Sequence, residues 1–241
     1  MSRFFIQAAL GTVAVVALLA ATSVLAADAA TEAMQAAYAP YRAALFKTSG
    51  TSGPESEKAL QQARQAWSRV VADFAARPPA PYDRDAAFAA SLAEVSAVYA
   101  RASEQIASDQ LGAAHETLEQ ARDILSDLRR RNNVVVFSDH MNAYHAEMER
   151  VLVDGTAMLA QPGGNARLVA MSGALAYLSQ RLAAEAPPAY AKNEEFAALV
   201  AGVQKSVADL QTALYGGDRS AAQEAVRKLK PPYARLFLKF G

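Results

Sequence analysis

The chain has 241 residues, 52% of them hydrophobic and 20% charged, which supports a packed core and argues against disorder. Its 24 basic and 24 acidic side chains cancel, so no overall field attracts nucleic acid or an anionic membrane. With no cysteine, disulfides, thiol catalysis, zinc–thiolate sites and covalent c-type haem attachment are excluded.

Residues 1–26 read as a secretory signal peptide. Arg3 supplies a short positive start, an apolar run extends from Ala8 to about Leu25, and Val24-Leu25-Ala26 offers small residues for cleavage before Ala27-Asp28. Removing them takes away one cation and leaves 23 basic and 24 acidic side chains. An uncleaved anchor is the competing reading, but the run is short for a span and ends in a cleavage-like sequence. No later segment approaches ~18 uninterrupted apolar residues, so no membrane span is expected after cleavage. The expected location is periplasmic or secreted.

Beyond residue 28 the apolar positions recur every three or four residues, the mark of helices that each bury one stripe. The spacing predicts helices near 29–46, 55–76, 84–107 and 110–131, then near 139–160, 166–185, 192–215 and 219–238. Turn-rich or proline-rich breaks separate them at 49–54, 78–81, 161–165 and 187–188, because proline lacks an N–H and crowds the preceding turn. Asp109 and Asp218 are the expected N-caps of the fourth and eighth helices, and Ser138 of the fifth.

The two sets of four resemble each other at a spacing of 108 residues. Pro79, Tyr82, Phe88 and Val95 recur as Pro187, Tyr190, Phe196 and Val203, and Ala114, Glu116 and Leu128 as Ala222, Glu224 and Leu236. The first helices pair at a shift of 107, with Met34, Tyr38, Tyr41 and Leu45 against Met141, His145, Met148 and Leu152. The expected fold is therefore all-α: two tandem up-down-up-down four-helix units related by an internal duplication, residues 27–133 and 134–241. The apolar run at 134–137 suggests burial at the junction, and a single eight-helix body is the alternative.

Gly217-Asp218, Ala221-Ala222, Ala225, Leu229 and a basic-aromatic close resemble the last helix of the cytochrome c′ and b562-type periplasmic four-helix bundles, which hold haem between helices. The resemblance implies a helical bundle and raises haem as a cofactor. It lacks the attachment motif: Pro231-Pro232-Tyr233-Ala234-Arg235 stands where a Cys-x-x-Cys-His would be, and neither His nor Met occurs in 219–241. His115 lies at the far end of its bundle from Met34, and at the far end of its own half from the residues around 140–149.

Ligand-type side chains concentrate at 138–149. Met141, His145 and Met148 share one helix stripe with Leu152, with His140 to one side. Imidazole and thioether are soft donors that suit Cu(I), so His140, Met141, His145 and Met148 are the candidate metal ligands. The competing reading makes Met141, His145 and Met148 core residues, since they match Met34, Tyr38 and Tyr41 in register. Tyr38, Tyr41, Tyr99, Tyr144 and Tyr233 could line a pocket between helices or fill the core. Arg129-Arg130-Arg131 either complements a helix C-terminus or offers a docking patch. The cation- and aromatic-rich segment 228–240 either packs on the bundle or binds a partner.

No Gly-x-Ser-x-Gly, phosphate-binding glycine loop or His-Glu-x-x-His is present, so no enzyme activity is expected. Two functions remain: an exported binding protein for a copper-like metal ion, haem or a small ligand, or a structural protein that docks on a cell-envelope partner without a small-molecule site.

Overall fold

A computed structural model describes residues 28–50 and 52–241, and the predicted signal peptide lies outside the described residues. The described chain is all-α. The first four long helices are α1 (Ala29–Thr48), α2 (Gly53–Phe74), α3 (Phe88–Ala107) and α4 (Leu111–Arg131). The next are α5 (Phe137–Met158), α6 (Gly164–Ala184), the single-turn α7 (Pro188–Ala191), α8 (Glu194–Tyr215), α9 (Arg219–Arg227) and α10 (Lys230–Phe240). None of these helices is long and apolar enough to cross a membrane.

The helix starts follow local chemistry. Asp28 accepts from the Thr31 backbone N–H at 2.8 Å, Asn193 from Phe196 at 3.0 Å and Asp218 from Ala221 at 2.9 Å, each satisfying a donor that the helix leaves unpaired. Two expected caps differ. Gln110, not Asp109, precedes α4, and Asp109 takes φ 58°, one of the few left-handed conformations that Asp tolerates. Ser138 lies inside α5, where the side chain of Asp139 accepts from Val136 N–H at 3.0 Å and closes the first turn from within. Between α5 and α6 the turn depends on Gly163 at φ 72°, which a side chain would strain.

Sequential helices pack as neighbours: α1 on α2, α2 on α3, α3 on α4, with α4 returning to α1. In the second set α5 packs on α6 and α6 on α8, while α9 and α10 fill the fourth place between α8 and α5. Residues 107 or 108 positions apart are buried in both sets: Phe88 and Phe196, Val95 and Val203, Met34 and Met141, Leu128 and Leu236. A tyrosine ties the first helix to the last in each, with Tyr41 donating to the Leu118 carbonyl at 3.0 Å and Tyr233 to that of Met141 at 3.2 Å.

One expected helix is broken. The 219–238 segment is two helices separated at Lys228 and Leu229, whereas α4 runs uninterrupted. Pro231 and Pro232 cause this: neither can donate to a carbonyl one turn back, yet both fit the first turn of a new helix.

The two sets are joined tightly. Arg129 near the end of α4 is 1% exposed, and its Nε donates to both carboxylate oxygens of Asp139 in the first turn of α5, at 3.0 and 3.1 Å. A second seam is α1 against α10, where the rings of Tyr38 and Phe237 meet edge to face at 6.3 Å.

Candidate functional site

A cleft of about 520 Å³, its open mouth included, lies where the two sets meet. Leu45, Phe46 and Ser49 come from the C-terminal end of α1, and His115, Glu119 and Arg122 from one face of α4. The second set adds His145 from α5 and Lys230, Tyr233, Ala234 and Phe237 from α10. The spacings 115, 119, 122 and 230, 233, 234, 237 each describe one helical stripe, so the cleft is where two stripes face each other. The break before α10 is what frees its stripe, starting at Lys230, to take this orientation.

The histidines are held in defined poses. His115 Nδ1 lies 3.0 Å from the Leu45 carbonyl, which can only accept, so Nδ1 carries the hydrogen there and Nε2 is directed toward Glu119 Oε1 at 3.8 Å. The His145 ring lies on Tyr233, centroids 5.4 Å apart, and its Nε2 is 3.9 Å from the same Glu119 oxygen and 3.4 Å from Glu149 Oε1. Glu149 also meets Lys230 Nζ at 3.0 Å. His145 first, then Lys230, hold the Glu149 carboxyl down to about 2 against the opposing effect of burial.

Arg122 is the most constrained charge in the cleft. Its side chain is 10% exposed, yet its nearest carboxylates, Glu119 and Asp123, are each 3.6 Å away. Among the described residues it makes no hydrogen bond. Burial disfavours its charge, the Glu119 carboxylate favours it, and the balance holds its pKa above the usual arginine value, so the guanidinium stays charged.

Met141, His145 and Met148 of the predicted metal stripe are all buried. Met141 and Met148 are fully buried in the core, as their register with Met34 and Tyr41 implies. His145 faces the cleft, and the charged groups near its Nε2 are carboxylates. His140 is half-buried near the start of α5 and is not among the cleft residues. Among the described residues, no group of three or more His, Cys, Asp or Glu side chains is arranged to hold a metal ion.

The expectation that His115 is remote from His145 is corrected: both line the cleft. His115 is at a far end only within its own half, and the seam of α1 with α10 brings the ends of the two halves together. A sequence signal existed, since His115/Glu119 and His145/Glu149 are both His-x-x-x-Glu pairs, the spacing that puts two side chains on one helix face. Arg122 and Lys230 carried no comparable signal.

The tyrosines are chiefly core. Tyr38 packs on Tyr41 at 5.0 Å, Tyr41 on Tyr99 at 6.2 Å and Tyr144 on Tyr233 at 5.4 Å, and of the five only Tyr233 reaches the cleft. Burial pushes the hydroxyls of Tyr41, Tyr99 and Tyr233 up, so all remain neutral. Of the arginine run, Arg129 is the buried partner of Asp139, Arg131 meets Asp85 at 3.0 Å and Arg130 meets Asp127 at 2.8 Å. The aromatic end of the chain packs inward, with Phe240 against Tyr190 and Phe196 at 5.1 and 5.3 Å.

The fold and cleft are those of an all-α helical bundle. Comparison with known proteins adds nothing to that class: no family model matches the chain, and no curated protein or solved structure matches it. The helical architecture is what the chain shares with the cytochrome c′ and b562-type bundles, and no match supports a closer relation.

Proposed function

We propose that this chain is an exported, periplasmic or secreted, non-catalytic binding protein whose small ligand occupies the cleft between the two helical sets. The observation that carries this reading is the composition of the cleft: apolar walls from Leu45, Phe46, Tyr233 and Phe237 enclose a few fixed polar groups from α4, α5 and α10. That combination is the usual makeup of a small-molecule site. Both sets contribute to it, so ligand binding would report on their joining. A small organic ligand fits better than Cu(I), because the thioethers of the predicted stripe are core residues while His145 faces carboxylates.

A neutral apolar fluorophore, N-phenyl-1-naphthylamine, tests the reading with the purified protein. Wild type is expected to bind it with enhanced fluorescence, and Ala234→Trp, which fills the cleft, is expected to abolish that binding with an unchanged helical circular dichroism spectrum. Absence of binding to wild type, or binding indifferent to Ala234→Trp, would overturn the cleft as a ligand site and leave docking on an envelope partner. Parallel titrations with Cu(I) and with haem separate the other ligands: binding of either that is lost in His145→Ala and Met148→Leu would replace the organic ligand by that group.

A further inference from the structure

We propose that the ligand of the cleft is an organic monocarboxylate with an apolar body, its head group gripped by Arg122 and its charge shared with Lys230. This deepens the reading of the cleft as a small-molecule site and rests on it.

Arg122 points to the head group. A guanidinium brings five N–H donors in a planar fork, and a carboxylate accepts two of them in parallel. Here the side chain that carries the fork is nine-tenths buried and lines the cleft, while its nitrogens make no hydrogen bond among the described residues and stay accessible. Buried charges are ordinarily both paired and hydrogen-bonded. The two carboxylates that neutralise Arg122 from a distance, at 3.6 Å each, leave its donors unused. An incoming carboxylate supplies the missing acceptors.

The charge count limits the ligand to one negative charge. Arg122 and Lys230 are the cations of the lining and Glu119 its one carboxylate. Lys230 is moreover already engaged with Glu149. Asp123 and Glu149 stand behind these cations, so a phosphate dianion would meet an excess of negative charge, whereas a monocarboxylate adds the least charge that the fork of Arg122 can grip. The walls point to the remainder of the ligand. Phe46 is 46% exposed at the rim and Phe237 is buried behind it, so an alkyl or aryl body that covers Phe46 removes apolar surface from water.

Octanoate and 1-octanol, matched in length and differing in charge, form the test. Each competes with N-phenyl-1-naphthylamine for the wild-type protein. Octanoate is expected to displace the fluorophore at a concentration at least tenfold below that of octanol. Arg122→Gln is expected to reduce this preference to within about twofold, since the variant keeps hydrogen-bonding capacity but loses the charge and the fork. Lys230→Gln, at a side chain 54% exposed and therefore mild for folding, is expected to reduce it severalfold. If the fluorophore binds the wild type and octanol competes as well as octanoate, the carboxylate inference fails while the cleft stands as a binding site. A preference that survives both substitutions also overturns the inference. If the fluorophore does not bind at all, the reading of the cleft itself fails.

Discussion

His115 and His145, on helices of different sets, direct their Nε2 atoms at one and the same atom, Glu119 Oε1, from 3.8 and 3.9 Å. Only one of the two belongs to the helix that carries Glu119. The carboxylate is therefore a shared point of contact between the sets, and the floor of the cleft is built across the seam instead of within either set.

The pairing around His145 makes an acid-stability prediction. Glu149 titrates in the folded chain at about 2 against an ordinary value of 4.5, so it binds its proton less readily folded than unfolded. Its contribution is fully present above the unfolded value and is lost as pH falls from about 5 toward 2. With its side chain 32% exposed, solvent screening reduces the contribution to about 1 kcal/mol. Urea unfolding of Glu149→Gln should thus show a deficit of that size at pH 7 that shrinks to about half by pH 3 and closes near pH 2. A deficit that persists unchanged at pH 3 would contradict the assignment.

The Arg129–Asp139 pair is expected to be far more sensitive than surface ion pairs. Removing the carboxylate leaves a guanidinium that is 1% exposed without its partner and also deprives Val136 N–H of an acceptor. Asp139→Ala should cost about 3–5 kcal/mol in chemical denaturation, against less than about 1 kcal/mol for Asp209→Ala, whose pair with Lys205 is solvent-exposed.

Leu128 in α4 and Leu236 in α10, 108 residues apart, are each fully buried. Leu128→Ala and Leu236→Ala should each lower stability by about 2–5 kcal/mol, the ordinary cost of a cavity at a site with no room to collapse. Similar losses in calorimetry would show that the two positions face equally tight surroundings. A loss below about 1 kcal/mol at either would mean that its surroundings relax.

Met148→Leu keeps the volume of a fully buried side chain while deleting the thioether. Its expected cost is under about 1.5 kcal/mol, with fluorophore binding in the cleft unchanged. Altered binding would place the sulfur nearer the ligand than its core position implies.

The helices were legible because a buried stripe imposes a three- and four-residue period that local sequence records in full. Phe88, Val95 and Leu128 and their counterparts could be assigned to the core from spacing alone. Caps are less legible because side-chain acceptors compete within a few residues: Asp139, one residue beyond Ser138, closes α5 from inside the helix. The break before α10 was hidden by an apolar stripe that continues across Pro231 and Pro232. The cleft was the least legible part. His115, Glu119 and Arg122 come together with His145 and Lys230 only through packing between the sets, and intra-helix periodicity has no term for that. The soft-donor stripe at 141–148 was visible for the opposite reason, since one helix carries all of it.

The interruption at Lys228 and Leu229 gives the second set a joint that the first does not have. Because α9 and α10 are not one rod, the angle between them is set by the packing of α10 on α8, α1 and α5 and not by that of α9 alone. The aperture over Arg122 follows that angle, through Lys230 at one margin and Phe237 at the other. Tyr233, Leu236 and Phe240, all buried, fix that angle, so the width of the cleft is a property of the core as much as of its lining.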